Sequence, residues 1–310
     1  MSRVLVTGAT GFIGRQAMPP LVEAGHEVHA VSRAPEQAGG REGTVSTPTP
    51  DEVVWHRGDL LEGAAVVGEV EPDLLLHLAW YAEPGAYWTS PENVRWVEAS
   101  LALLRAFVEA GGARVVVAGT CAEYEWSRAV YPEDAPARPR TLYGAAKHAL
   151  GSVLAAYGEQ VGLSWAWGRV FFLYGPHEAP ERFVASLARA LLAGERAPMT
   201  DGDQVRDFMH VEDVGAAFAA VLGSPVTGAV NVASGQGVSL REVARAIAHQ
   251  AGRPDLLEVG ALPRREGEPP ALVADVRRLR EEVGFRPRYD LDTGVRQTLE
   301  WWRSRLATPR

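Results

Sequence analysis

Cysteine is almost absent from this chain. Among 310 residues there is one, Cys121, which excludes an internal disulfide and argues against a cysteine-built metal cluster; no metal site is expected. Lysine is equally scarce. Of 31 basic side chains 30 are arginine, and the single lysine is Lys147. Arginine serves wherever a generic cation is wanted, so the one lysine marks a position where a compact ammonium does what a guanidinium cannot. Long apolar runs are missing: none approaches the roughly 20 residues of a membrane helix. Basic charge is in deficit, 31 Lys and Arg against 39 Asp and Glu, for a formal charge of −8. That balance provides no footprint for nucleic acid or an anionic membrane. The first apolar segment, Val4, Leu5 and Val6, begins at once and runs into glycines, which predicts no export signal and a cytoplasmic protein. With 46% hydrophobic and 23% charged residues, the composition is that of an ordinary globular protein. The length suits one large core, or a core plus a smaller second domain.

Strand and helix patterns alternate from the start. Runs at 3–7, 26–32, 53–56, 73–78, 114–118 and 163–172 read as strands. Helical periodicity covers 12–24, 91–110 and 141–160, the second with Leu101, Leu104, Phe107 and Val108 on one face. This alternation predicts an α/β fold, a Rossmann-like doubly wound parallel sheet over residues 1–172. Residues 34–51, rich in Gly, Pro, Ser and Thr, predict a mobile loop. Beyond Tyr174-Gly175-Pro176 the texture changes. Helices are expected at 182–192, 211–222, 240–250, 275–283 and 291–303, and a strand at 229–233. A polar link is expected at 200–206 and a Pro- and Arg-rich loop at 261–270. Residues 173–310 read as a smaller C-terminal α/β substrate domain, with parts of 205–250 returning to the first.

Between the first strand and first helix, Gly8, Gly11 and Gly14 spell Gly-x-x-Gly-x-x-Gly. Glycines there permit a tight turn and let a pyrophosphate approach the backbone at a helix N-terminus. Gly8, Thr10, Gly11, Phe12, Ile13 and Gly14 are therefore candidate cofactor contacts. The end of the second strand selects the dinucleotide: an acidic residue accepts the ribose hydroxyl of NAD, an arginine receives the extra phosphate of NADP. This chain has Ser32-Arg33 and no carboxylate. That predicts NADP on Arg33, with Arg15 in support, over NAD. In Gly58-Asp59-Leu60, Asp59 is placed to accept from the adenine amino group or to cap a helix.

Lys147 follows Tyr143 by four residues, so both project from one helix face. A free phenol has a pKa of about 10, and a nearby ammonium lowers it. Such a tyrosine can exchange a proton with an alcohol or carbonyl oxygen. Thr120, at the end of a strand, supplies a hydroxyl to hold that oxygen.

These motifs, with His77-Leu78-Ala79, Tyr174-Gly175-Pro176, Arg206-Asp207-Phe208 and His210-Val211-Glu212-Asp213-Val214, resemble the extended short-chain dehydrogenases/reductases over nearly the whole chain. The type is that of the NAD-dependent epimerases/dehydratases acting on nucleotide sugars. The resemblance implies hydride transfer between nicotinamide and a sugar carbon. Tyr143 would be the acid/base, Lys147 would lower its pKa and hold the nicotinamide ribose, and Thr120 would polarise the carbonyl. Leu60, Leu78 and Ala79 would line the cofactor. Arg206 would pair with the nucleotide diphosphate, with Arg264 or Arg265 from the late loop completing the site. A homodimer through helices 91–110 and 141–160 is implied as well. The segment from Trp80 and Tyr81 to Tyr87 and Trp88 offers aromatic faces for sugar rings or bases, or a packed lid.

The departures narrow the reaction. The 4,6-dehydratases of this type carry an Asp-Glu pair after the threonine; here Cys121 and Ala122 stand there. The reductase-epimerases that make GDP-fucose use a Cys two residues after the hydroxyl residue and a His in a later helix. Those positions are Ala122 and Phe183; Cys121, one residue off, is expected to point to the other side but is kept as a candidate substrate contact, and His177 remains as a proton donor. Phe172 replaces a usual Asn, and Glu123 is placed to bind a sugar hydroxyl or to make a salt bridge. The expectation is an NADPH-dependent reductase of the C4 keto group of a nucleotide-linked 4-keto-6-deoxysugar. The alternatives are an NAD-dependent nucleotide-sugar 4-epimerase and, in another class, a non-catalytic NADP-binding regulator.

Overall fold

A strand buried on both faces must be apolar at successive positions, and Val4, Leu5 and Val6 are all fully buried. They form the centre of β1 (Arg3–Thr7). The structure, a computed structural model, describes residues 1–37, 52–264 and 267–307. Six further strands join β1: β2 (Glu27–Ser32), β3 (Val53–Arg57), β4 (Leu74–His77), β5 (Arg114–Thr120), then Ser164–Val170 and Gly228–Val232. All neighbours are parallel. In the chain between lie the short strands β6 (Val130–Tyr131), β8 (Phe172–Tyr174), β9 (Ala197–Met199) and β10 (Val205–His210). This makes Ser164–Val170 β7 and Gly228–Val232 β11. The order is β11-β7-β5-β4-β1-β2-β3, so direction of winding reverses between β1 and β4, where open α/β sheets bind ligands.

Period-2 alternation sends Val4 and Val6 to one face and Leu5 to the other. The first face packs on α1 (Gly14–Glu23) and α6 (Val211–Gly223), through Ala17, Leu21, Val214 and Phe218. The second packs on α2 (Ala65–Val70), α3 (Glu92–Glu109) and α4 (Leu142–Val161), through Val67, Leu103, Phe107, Leu150 and Leu154. A third core joins α5 (Phe183–Ala193), α7 (Leu240–Gln250) and α8 (Leu291–Ala307). It flanks a smaller sheet in which β10 pairs with β8, with β12 (Gly237–Ser239) and with β14 (Ala271–Ala274); β13 (Leu257–Val259) pairs with β9. Among the described residues no helix is long and apolar enough to cross a membrane, and no group of three metal-ligating side chains converges.

Two stretches differ from the sequence reading. The expected polar link ends in a strand, β10. Its polarity misleads because the charges are used inside: Asp207 is fully buried and accepts hydrogen bonds from the Ser234, Gly235 and Ala274 amides and the Ser234 hydroxyl. The expected helix at 275–283 is shorter: β14 ends just before it, and only a single π-helical turn, Arg278–Glu282, forms. Arg278 donates to the Ala229 and Thr227 carbonyls, anchoring that turn by a side chain. Most of the expected loop at 34–51 lies outside the described residues; Pro35–Gln37 is one 3-10 turn.

Asp207→Ala strips the acceptor from three backbone amides, each costing about 1–3 kcal/mol when left unpaired. The expected outcome in urea unfolding is a loss of about 3 kcal/mol or more. Asp207→Asn, which keeps one oxygen, should lose less.

Candidate active site

At the end of β1 the chain turns through Gly8 at φ +71°, and a Cβ there would lie 2.7 Å from the Ala79 nitrogen. A Cβ on Gly14 would lie 2.1 Å from the Gly8 carbonyl oxygen. Only glycine lets this turn press against the end of β4. The N-terminus of α1 has Ile13 at its cap, no side-chain cap and no acidic first turn. Its first turn lines a cleft of about 1730 Å³, an arrangement that fits the pyrophosphate of a dinucleotide. Every candidate cofactor residue lines this cleft: Gly8, Thr10, Gly11, Phe12, Ile13, Gly14, Arg33, Asp59, Leu60, Leu78, Ala79, Tyr143 and Lys147. Asp59 also closes its own turn by accepting from the Leu61 amide. Arg15 sits at the rim, donating to the Thr10 and Gly11 carbonyls.

Midway along the cleft, β5 ends at Thr120 and α4 begins, capped by Thr141 accepting from the Gly144 amide. Tyr143 and Lys147 lie on one face of α4, and both line the cleft together with Thr120. Tyr87 and Trp88 meet the Tyr143 ring edge-on, with centroids at 4.9 and 5.8 Å. The Lys147 ammonium donates to the Ala118 carbonyl at 2.8 Å and lies 3.8 Å from the Trp80 ring centroid. Burial lowers Lys147 to about 7, opposed by the Glu123 carboxylate. Burial raises the Tyr143 phenol, with the Thr120 hydroxyl opposing. The net direction is thus opposite to the lowering expected from the neighbouring ammonium.

Three expectations are decided by the structure. Of the two roles open to Glu123, the salt bridge is observed and contact with substrate is not, because Glu123 does not line the cleft. It is 1% exposed and pairs with Arg169 at 3.0 Å, while also accepting from the Trp167 indole and the Thr120 amide. A carboxylate beside two buried donors is held inward rather than offered to solvent. His177 turns away too, meeting the Trp301 ring and the Arg15 guanidinium. Cys121, expected to face the other way, lines the cleft. Burial lifts its thiol to about 12, opposed by Arg206, so it is protonated at neutral pH.

Trp80, Tyr81, Phe172 and Arg206 also line the cleft. Arg206 donates to the Val205 and Pro269 carbonyls and stands 5.4 Å over the Phe172 ring. Arg264 lies 3.8 Å from Asp201; Arg265 lies outside the described residues. Sequence reasoning passed over Glu178 and Arg182. Glu178, also on the wall, accepts from the Ala185 amide, and burial pushes it up to about 8, opposed by Arg182. Arg182 lies 5.8 Å over the Tyr87 ring, and its charge opposes the upward push of burial on the Tyr87 phenol. The only cue in the chain was nearness to Tyr174-Gly175-Pro176.

Glu123→Ala should leave Arg169 as an uncompensated buried charge. The expected loss is about 3–5 kcal/mol, read as a lower denaturant midpoint.

Residues 4–233 match the model of the NAD dependent epimerase/dehydratase family. The chain is 32% identical to a UDP-glucose 4-epimerase of Azospirillum brasilense, covering 97% of this chain and 92% of the relative. Among solved structures it resembles MoeE5 in complex with UDP-glucose and NAD, at TM-score 0.83 and 35% identity over 98% of this chain and 100% of that one. It also resembles a Thermus thermophilus UDP-glucose 4-epimerase in complex with NAD, at TM-score 0.81 and 31% identity over 97% and 99%. With its glycine turn, its Tyr143 and Lys147 on one helix face and this match over most of its length, the chain belongs to the NAD-dependent epimerase/dehydratase family and is an enzyme of the nicotinamide-dependent oxidoreductase type.

Proposed function

We propose that this protein reduces the C4 ketone of a nucleoside-diphosphate 4-keto-6-deoxysugar with NADPH. The observation that carries the reading is the placement of Thr120, Tyr143 and buried Lys147 together on the cleft wall, with Cys121 and Ala122 where a dehydratase carries its acids. When bound, the nicotinamide supplies the hydride. Tyr143 then gives its phenolic proton to the ketone oxygen, and the Thr120 hydroxyl donates to the same oxygen. Burial, by raising the phenol, keeps it in the protonated state that a donor needs. A thiol lifted to about 12 at Cys121 is too weak an acid to expel a hydroxyl. Arg206 and Arg182 on the cleft wall suit a diphosphate. Arg33 follows β2, which ends at Ser32 without a carboxylate, and supports NADPH.

A second reading, NAD-dependent 4-epimerisation, is favoured by the names of the relatives and by the NAD in two of the similar structures. The same three residues serve it, since one carbon is oxidised and re-reduced. A non-catalytic regulator is disfavoured by the intact Tyr143 and Lys147. A homodimer through α3 and α4 is supported by the exposed Val94 and Val153 on those helices.

The test is oxidation of reduced nicotinamide with dTDP- and UDP-linked 4-keto-6-deoxyhexoses. Stoichiometric oxidation of NADPH, faster than of NADH, is the expected outcome. Isomerisation of a nucleotide sugar without net oxidation, on tightly held NAD, would replace this reading by the second. Tyr143→Phe should cut turnover by about 10²–10⁴-fold with dinucleotide affinity unchanged, and a variant keeping most of its rate would remove Tyr143 as the acid.

A further inference from the structure

Lys147 is 3% exposed, yet its ammonium meets one carbonyl, that of Ala118, at 2.8 Å. A desolvated cation needs more than one neutral acceptor. The second contact is the face of Trp80, whose ring centroid lies 3.8 Å from Nζ. This indole is fixed from behind. Its Nε1 donates to Asn93 Oδ1 at 2.9 Å, and Asn93 Nδ2 donates to the Tyr87 and Ser90 backbone carbonyls. Asn93 is fully buried, so its amide is held in one orientation. Trp96 backs the ring at 6.2 Å.

We propose that Trp80 is a positioning residue: its indole face, locked by Asn93, holds the Lys147 ammonium charged and in place at the wall of the cleft. The proposal rests on the reading of Lys147 as part of the hydride-transfer site. Tryptophan offers the strongest aromatic face for a cation, and the attraction grows when water is excluded. The other groups around the ammonium do not replace it. On β4, His77 is kept neutral by burial, at about 3, with Lys147 lowering it further; its ring nitrogens are taken by Thr7 and Ser100. After β5, Glu123 attracts the ammonium through space but its oxygens serve Arg169, Trp167 and the Thr120 amide. On α4 itself, burial raises the Tyr143 phenol and keeps it neutral.

Because Lys147 is the only lysine, lysine labelled with carbon-13 at Cε gives one side-chain resonance in the whole protein. In the wild type, the ring current of Trp80 should move the ε-methylene protons upfield of free lysine. The indole stabilises the charged form, so its removal must lower the pH at which Lys147 loses its proton. Trp80→Leu is expected to lower the titration midpoint by about one unit, and Trp80→Phe by less. Dinucleotide affinity of Trp80→Leu should fall more at pH 8 than at pH 6. An unchanged midpoint in Trp80→Leu, or ε-methylene protons at the free-lysine position in the wild type, would overturn the proposal. The wild-type shift decides even if Trp80→Leu does not fold. The titration needs no substrate: an unaltered midpoint in a variant of an active enzyme sinks this proposal alone. A shifted midpoint in a protein that oxidises no nicotinamide with any nucleotide sugar sinks the functional reading alone.

Discussion

The rest of the structure hangs on the buried ion pair between Glu123 and Arg169. Glu123 takes hydrogen bonds from the Thr120 amide, the Trp167 indole and the Arg169 guanidinium. Arg169 continues to the Tyr124 hydroxyl and the Glu133 carbonyl. Tyr124 donates to Asn231, whose amide donates to the Tyr131 and Asp275 carbonyls. One connected network thus ties β5 and β7 to β11 and to the strands beyond the main sheet. Inside a low-dielectric interior such a network is costly when half-made and specific when complete.

That network also sets the site. Glu123 closes the turn after β5 as a capping box, with Thr120 at its head. The backbone of Thr120 is therefore fixed from below, on the cleft wall that Tyr143 shares. The same carboxylate draws on the Lys147 charge from a distance. A residue that touches no part of the cleft governs the placement of the two that do. The glycine turn works by a similar logic: Gly8 and Gly14 leave no room for a Cβ, so the turn, the end of β4 and the start of α1 converge on one wall.

Legibility in the sequence followed the range of the interactions. Local spacing was enough for Gly8, Gly11 and Gly14 and for Tyr143 and Lys147, because a turn and a helix face are built from neighbours. The parallel strands were visible because burial on both faces makes them continuously apolar. The strand at Val205–His210 was hidden because Asp207 and Arg206 find their partners tens of residues away. The sequence left Glu123 between substrate contact and salt bridge because nothing near it in the chain reveals Arg169, 46 residues on.

By itself, the sequence determined the doubly wound sheet, the dinucleotide turn at its centre and the face carrying Tyr143 and Lys147, since each follows from periodicity or from a steric demand within a few residues. Only the tertiary structure decided that Glu123 faces inward, that Cys121 faces the cleft, that Glu178 and Arg182 join its wall and that Trp80 lies over the ammonium. Those depend on which distant donors and faces meet in the folded chain, and burial, which sets the direction of each pKa shift, exists only once they have met.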